Sequence, residues 1–306
     1  MKKTGFLFLI LLINIGLYAQ HPVVNNGELK RFPLFTSSFV GARNIDVWLP
    51  PGYSSKTKYA VLYMHDGQML YDSTVTWNKQ EWGVDETMIS LLKQKKIKDC
   101  IVVGVWNNGA FRHADYFPQK PFLSLATAQQ DSIYKVTRAE DYALFAAPVQ
   151  SDAYLKFLVT ELKPFIDKTF SVKTDRANTF IAGSSMGALI SMYAICEYPD
   201  VFGGAACLST HWPGIFATAN NPIPATFISY LKNNLPDPSS HKIYFDYGTA
   251  GLDSLYKRFQ LQADAVMQAK GYTSVNWLSK EFAGEDHSES AWRRRLSIPL
   301  IFLLNK

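Results

Sequence analysis

Cysteine is scarce in this sequence, with three residues among 306, and the number is odd. Cys100, Cys196 and Cys207 each lie among apolar neighbours. The disulfide framework of a small secreted domain would need a denser and even set of cysteines. We therefore expect buried free thiols, with a Cys196–Cys207 disulfide as the alternative.

An excess of one charge is also absent. The chain has 31 Lys and Arg residues against 26 Asp and Glu, a formal net charge of +5. The basic residues are scattered, apart from the run Arg293-Arg294-Arg295, which is typical of a solvated helix face. Internal repeats, low-complexity tracts and linkers are missing as well. We expect no nucleic-acid partner, and one domain over residues 21–306.

Long apolar runs are limited to Phe6–Leu17, near the N-terminus. This run follows Lys2 and Lys3 and is followed by a small residue at position 19. A basic start, a short apolar core and a small residue predict a bacterial signal peptide over residues 1–20. The run is too short to cross a bilayer easily, so a retained membrane anchor is the lesser alternative. We expect a periplasmic or secreted protein without membrane attachment after cleavage.

The rest of the chain alternates strand-like and helix-like segments. Strands are predicted at 35–40, 44–49, 59–64, 100–105, 179–184, 202–209, 241–247 and 275–282. Helices are predicted at 85–98, from 151, after the 179–184 strand, within 222–235, and at 252–270 and 288–304. This alternation predicts an α/β fold with a mostly parallel central sheet and helices on both faces. Residues 107–150 lack clear periodicity, which is typical of a cap-like insertion over a site.

The most informative stretch is Gly183-Ser184-Ser185-Met186-Gly187, between a buried strand and an apolar helix. It matches the G-x-S-x-G nucleophile elbow, in which a sharp turn exposes a serine at the edge of the sheet. The two glycines let the strand and the helix pass close together. The helix N-terminus favours negative charge developing beside the Ser185 hydroxyl. We therefore predict that Ser185 is a nucleophile.

A serine hydroxyl needs a base in contact with it, and the base needs an orienting acid. His287 follows the last predicted strand and lies at the same sheet edge as Ser185, whereas His241 precedes a strand and lies at the opposite edge. In this type of fold the acid comes between serine and histidine along the chain. We favour Asp253 as the acid and keep Asp246, within a strand, as the competitor.

Two backbone N–H groups are needed to bind the oxyanion of a tetrahedral intermediate. One is predicted at Met186, directly after the nucleophile, and the other at Gln68 or Gly67, in the loop after the 59–64 strand. His65, Asp66 and His211 could be metal ligands, but no ligand spacing supports that interpretation. We expect neither a metal nor an organic cofactor.

Several motifs together resemble the esterase D-like group of α/β-hydrolases, which includes feruloyl, acetyl-xylan and enterobactin (siderophore) esterases. The resemblance covers about residues 40–306, and the motifs that carry it are 63–68 (YMHDGQ), 82–86 (WGVDE), 161–167 (ELKPFID), 183–187 (GSSMG) and 286–292 (DHSESAW). It implies an α/β-hydrolase fold and carboxylic ester hydrolysis with Ser185, Asp253 and His287 as the triad. No short motif fixes the acid.

Substrate preference is less clear from the residues. Arg112 and Tyr116 in the 107–150 region, together with Trp212, suit a feruloyl ring or an anionic catecholate, although the aromatic residues could equally form core. We expect an exported serine esterase acting on a small-molecule or oligosaccharide ester, such as an acylated carbohydrate or a feruloyl-type ester. The alternatives are a siderophore esterase, an acyltransferase or peptidase with the same triad, and a non-catalytic carbohydrate-binding protein. Nothing in the sequence indicates an oligomeric state.

Overall fold

An eight-stranded sheet forms the centre of the structure. The computed structural model describes residues 21–139, 142–216 and 220–306. The strands are β1 (Glu28–Phe35), β2 (Arg43–Leu49), β3 (Ala60–His65), β4 (Cys100–Val105), β5 (Thr137–Ala139), β6 (Tyr142–Ala143), β7 (Thr179–Ser184), β8 (Gly204–Leu208), β9 (Lys242–Gly248) and β10 (Trp277–Phe282). Their order in the main sheet is β1-β2-β4-β3-β7-β8-β9-β10, while β5 and β6 pair separately.

Helices follow most of these strands along the chain. They are α1 (Val84–Lys93), α2 (Arg112–Tyr116), α3 (Gln119–Leu123), α4 (Thr127–Tyr134), α5 (Ser151–Phe157), α6 (Lys163–Thr169), α7 (Met186–Glu197), α8 (Ile223–Asn234), α9 (Lys257–Ala269), α10 (Glu289–Arg295) and α11 (Ser297–Leu304). A π-helical turn at Leu158–Leu162 joins α5 to α6.

The sheet is mostly parallel, as predicted. Within this eight-stranded sheet β1–β2 and β2–β4 pair antiparallel, and the strands from β4 through β3 to β10 are parallel. Successive side chains of β3 enter opposite cores: Val61 and Tyr63 pack in one apolar cluster, Leu62 and Met64 in the other. Both faces are therefore covered, which explains why the inner strands are continuously apolar.

The strand order creates a crevice at one edge of the sheet. From β3 the chain moves to β4 on one side and later returns to β7 on the other side. In open α/β sheets ligands bind outside the carboxyl ends of the strands at such a switch point. The loops that leave β3, β7, β8, β9 and β10 all start from that edge.

The predicted strand at 35–40 is wrong: β1 ends at Phe35, and the segment from Thr36 to Ala42 forms no strand. Two features hide β1 from pattern analysis. Pro33 lies inside it, and proline argues against a strand unless the strand is at an edge. Leu34 has a positive φ of 48°, and the pairing with β2 shifts register between Phe32 and Phe35.

Other boundaries differ by less. Helix α1 ends at Lys93 rather than near residue 98, and the last helix is divided at Leu296. The described part of residues 107–150 contains a 3-10 turn at Gly109–Phe111, three short α-helices and the β5–β6 pair. Its description as a cap-like insertion in a single domain stays a prediction. The three cysteines are free and buried. The predicted signal peptide, 1–20, lies outside the described residues, and among those described no helix is long and apolar enough to cross a membrane.

Candidate active site

The 183–187 turn joins β7 to α7 through an unusual backbone conformation at Ser185. This residue has φ 57° and ψ −120°, in a region that non-glycine residues rarely occupy. A Cβ on Gly183 would lie 2.7 Å from the carbonyl group of Gly187, so the close passage of strand and helix requires glycine there. The Ser185 N–H donates to the Leu208 carbonyl at 3.0 Å, and the Ser185 carbonyl accepts from the His211 N–H at 3.3 Å.

His287 and Asp253 are hydrogen-bonded to each other. The distance between His287 Nδ1 and Asp253 Oδ1 is 2.6 Å, with the histidine side chain 16% exposed and the carboxylate fully buried. The loops that carry them are joined through the Glu285 carbonyl, which accepts the N–H groups of Thr249 and Ala250 at 3.0 Å each. The loop after β9 and the loop after β10 thus bring together residues 34 positions apart.

The second carboxylate oxygen of Asp253 is also fully engaged. It accepts the Gly248 N–H at 2.7 Å and the Ser209 hydroxyl at 2.5 Å. Burial raises the pKa of Asp253, but the hydrogen bond and charge of His287, with the bonds from Ser209 and Gly248, outweigh burial and lower the pKa below its usual value. Asp253 is therefore a carboxylate at neutral pH.

Ser209, which sequence analysis did not identify, connects this acid to α10. Its hydroxyl accepts hydrogen bonds from Trp292 Nε1 at 2.9 Å and from Arg295 at 2.8 Å, and donates its own proton to Asp253. The Trp292 ring also contacts His287 edge to face, with centroids 5.0 Å apart. Trp292 lies in the 286–292 motif, which was the available signal, whereas Ser209 was marked only by its place after β8.

The competing acid, Asp246, has a different partner. It is buried in β9 and forms an ion pair with Arg295 at 2.9 Å, while Tyr244 donates to it at 2.8 Å. Burial raises the pKa of Asp246, and the opposing effect of Arg295 is smaller. Its carboxylate faces Arg295, and its hydrogen-bond partners among the residues described do not include His287. The choice of Asp253 over Asp246 as the acid stays a prediction.

The positions expected to supply the oxyanion hole lie where β3 and β7 end. Met186 is the first residue of α7, and Gln68 lies in one turn of 3-10 helix, Gly67–Met69, that follows β3. A Cβ on Gly67 would lie 2.6 Å from the backbone of Gly104, so this turn can press against β4 only with glycine there. The role of Met186, Gln68 or Gly67 as oxyanion donors stays a prediction.

Asp66 starts the same turn in the left-handed conformation, with φ 56°. Arg112 binds its carboxylate with two parallel hydrogen bonds of 2.7 Å, and Asn107 adds a third at 2.7 Å. Burial raises the pKa of Asp66, but Arg112 and Asn107 lower it more, so the group is charged. Arg112, predicted to bind substrate, therefore lines the cleft with much of its donor capacity already directed at Asp66.

The predicted contacts of Tyr116 and Trp212 with substrate are corrected by the structure. Both side chains are completely buried, and neither lines the cleft around Ser185. Tyr116 packs against His65 and Tyr154, and Trp212 donates to Gln260 at 3.0 Å. Tyr116 lies in the 107–150 segment, which has no periodicity to show which of its aromatic residues face the core.

The other histidines near the site are uncharged. Burial is the main cause that lowers the pKa of His65 to about 3 and of His113 to about 3. The pKa of His211 is also well below its usual value, first through burial and then through the charge of His287. His65, Asp66 and His211 form no metal site, since no cluster of three or more ligating side chains occurs among the residues described.

A cleft of about 810 Å³ opens over these groups. It is lined by Asp66, Gln68, Met69, Trp77, Asn78, Gln80, Trp82, Asn107, Gly109, Arg112, Arg138, Ser184, Ser185, His287, Ser288, Glu289 and Trp292. The volume is in the range of small-molecule sites. Ser185 and His287 thus face the same cavity, at the edge of the sheet where the crevice is expected.

Comparison with known proteins identifies the family of this chain. Residues 36–303 match the family described as "Putative esterase", which covers most of the chain. The chain belongs to this esterase family. One relative is the endo-1,4-beta-xylanase/feruloyl esterase of Xylanibacter ruminicola, 28% identical over 296 residues, which are 91% of this chain but 32% of that protein.

Solved structures of esterases share the fold of this chain. A ferulic acid esterase superposes with a TM-score of 0.62 at 19% identity, covering 90% of this chain and 98% of its own. The enterochelin esterase of Shigella flexneri gives a TM-score of 0.60 at 15% identity, covering 93% and 59%. At such identities the likeness establishes the α/β-hydrolase fold, and the substrate has to be argued from the site.

Proposed function

We propose that this esterase is an exported serine hydrolase that cleaves the ester of an acylated carbohydrate or a feruloyl-type acid. The observation that carries the proposal is the 2.6 Å hydrogen bond between His287 and Asp253 at a cleft that Ser185 also lines. A buried carboxylate on Nδ1 holds the proton on that nitrogen. Nε2 is then free to accept a proton from a serine hydroxyl.

The reaction proceeds in two halves. Ser185 Oγ attacks the ester carbonyl carbon while His287 Nε2 takes the hydroxyl proton, and the oxyanion is bound by the N–H groups of Met186 and Gln68 or Gly67. The tetrahedral intermediate collapses, the C–O bond to the alcohol breaks, and His287 gives its proton to the leaving oxygen. Water then attacks the acyl-serine, losing its proton to His287, and the carboxylic acid leaves with Ser185 restored.

Labelling with a fluorophosphonate tests the nucleophile. Two neighbouring serines line the cleft, Ser184 and Ser185, which makes Ser184→Ala a matched control for Ser185→Ala. We expect the wild type and Ser184→Ala to be labelled and to hydrolyse esters, and Ser185→Ala to do neither while unfolding at an unchanged temperature. Equal labelling of Ser185→Ala would show that Ser185 is not the nucleophile.

A further inference from the structure

Trp77 is exceptional among the aromatic residues that the structure describes, because 83% of its surface is exposed although it lines the same cleft as Ser185. It lies in the connection between the 3-10 turn after β3 and the start of α1. The large apolar face of the indole is therefore open to a ligand that enters the cleft.

The segment around Trp77 is held by its own hydrogen bonds. The Ser73 N–H donates to Glu81 Oε2 at 2.6 Å and closes the segment, and Lys79 Nζ donates to the Thr74 carbonyl at 2.7 Å across it. A ring on a loop that is held by internal hydrogen bonds is already in position when a ligand arrives. It therefore loses little conformational freedom on binding.

The same segment is attached to the wall of the cleft that carries the proposed base. Asn78 donates to Glu289 Oε2 at 2.7 Å, and Gln80 Oε1 accepts the Ser290 N–H at 3.2 Å. Glu289 and Ser290 begin α10, directly after His287 and Ser288. In ester hydrolysis the base returns its proton to the leaving alcohol, so the alcohol part of the ester lies on the His287 side of Ser185.

Two polar atoms remain available in the cleft that Trp77 lines. Within the part of the chain that the structure describes, Gln80 Nε2 and Glu289 Oε1 belong to none of the hydrogen bonds, and both residues line the cleft. One is a donor and the other an acceptor. Neighbouring hydroxyls of a sugar can use both, while the apolar C–H face of the sugar ring covers the indole. A carboxylate at this position also disfavours an anionic catecholate.

We propose that Trp77, Gln80 and Glu289 form a subsite for a sugar ring in the alcohol part of the ester. This inference rests on the proposed function, because it takes the side of the leaving alcohol from the role of His287. It makes Trp77 a specificity-determining residue rather than a catalytic one.

The test compares two esters that carry the same acyl group, an acylated xylo-oligosaccharide and the corresponding methyl ester. The acyl group is acetyl or feruloyl, whichever the wild type cleaves faster. Trp77→Ala should lower kcat/KM for the sugar ester about tenfold, the loss of one stacking contact. The methyl ester should change by less than about twofold. Trp77→Phe should retain most of the activity on the sugar ester.

Val275→Ala serves as the control variant, since Val275 is 78% exposed and precedes β10, at the opposite end of the strands from the cleft. It should leave both esters unaffected. An equal loss on the two esters in Trp77→Ala would overturn the proposal, because the ring would then contact the acyl part. An unchanged sugar ester would overturn it too.

Binding of the unacylated xylo-oligosaccharide to Ser185→Ala, measured by calorimetry, separates this inference from the proposed function. We expect binding that Trp77→Ala weakens in the same background. If the wild type cleaved no ester, the proposed function would fail while this binding could still support the subsite. Binding that is absent, or independent of Trp77, would refute the subsite whatever the activity.

Discussion

Replacing Asp253 by Asn removes a charge while keeping the shape of the side chain. The Gly248 N–H can only donate, and the Ser209 hydroxyl directs its proton at the same oxygen because it already accepts from α10. The carbonyl oxygen of the new amide must take that place. Its NH2 group then faces His287 Nδ1, which has to accept a hydrogen bond from it. The imidazole proton therefore moves to Nε2, and a protonated Nε2 cannot take a proton from Ser185.

The expected loss in kcat/KM is about 10⁴-fold, or about 5 kcal/mol of transition-state stabilisation. Stability should fall by only about 1 kcal/mol, since the buried hydrogen bonds are kept. Asp246→Asn is the matched comparison, because it removes the carboxylate closest to the buried Arg295, at 2.9 Å, and leaves only Asp253 at 3.8 Å. It should cost about 3–5 kcal/mol of unfolding free energy, with the activity per folded molecule largely kept.

The assay measures kcat/KM on one activated ester and urea unfolding for the wild type and both variants, at a temperature where all are folded. The reasoning is refuted if Asp253→Asn keeps kcat/KM within about tenfold of the wild type. A large rate loss in Asp246→Asn instead would make Asp246 the acid.

Two further predictions concern pH and export. Burial raises the pKa of Asp85 to about 6, with Glu86 adding to the rise and the N–H groups of Asn25 and Asn26 opposing it. The folded state therefore binds this proton more tightly than the unfolded chain, and the resulting stability is present below about pH 4 and lost as pH rises through about 6. The melting temperature of Asp85→Asn should decline less over this pH range than that of the wild type. An identical pH dependence of the two melting temperatures would contradict the prediction. Mass spectrometry of the secreted or periplasmic full chain should give a mature start near Gln20, and an intact leader in the membrane fraction would contradict a cleaved signal peptide.

The inner sheet could be predicted because strands buried on both faces are continuously apolar, as in β3 and β4. Edge strand β1 could not, because four of its eight residues are exposed and none is fully buried, and because Pro33 interrupts the pattern. Short helices such as α2 and α3 also escape prediction, since five residues are too few to show a helical period.

The residues of the site also divide into those that a local sequence motif predicts and those that only contacts between distant positions bring together. The elbow and His287 carry short motifs, and Asp253 was favoured because it follows a strand. The contacts of Ser209 with Asp253, Trp292 and Arg295 join residues 44 to 86 positions apart. Such contacts leave no local pattern. The exposed Trp77 escaped notice for a related reason, because exposure is set by packing rather than by neighbours in sequence.

The hydrogen bonds of the Ser209 hydroxyl predict how this protein loses activity on heating. The hydroxyl receives both of its donors from α10, so the alignment of Asp253 depends on the attachment of the C-terminal helices to the sheet. Proteins open locally at lower free energy than they unfold globally. Detachment of α10 and α11 would release Asp253, the proposed acid, while the parallel strands stay intact. The upper working temperature would then follow this local opening rather than melting of the sheet.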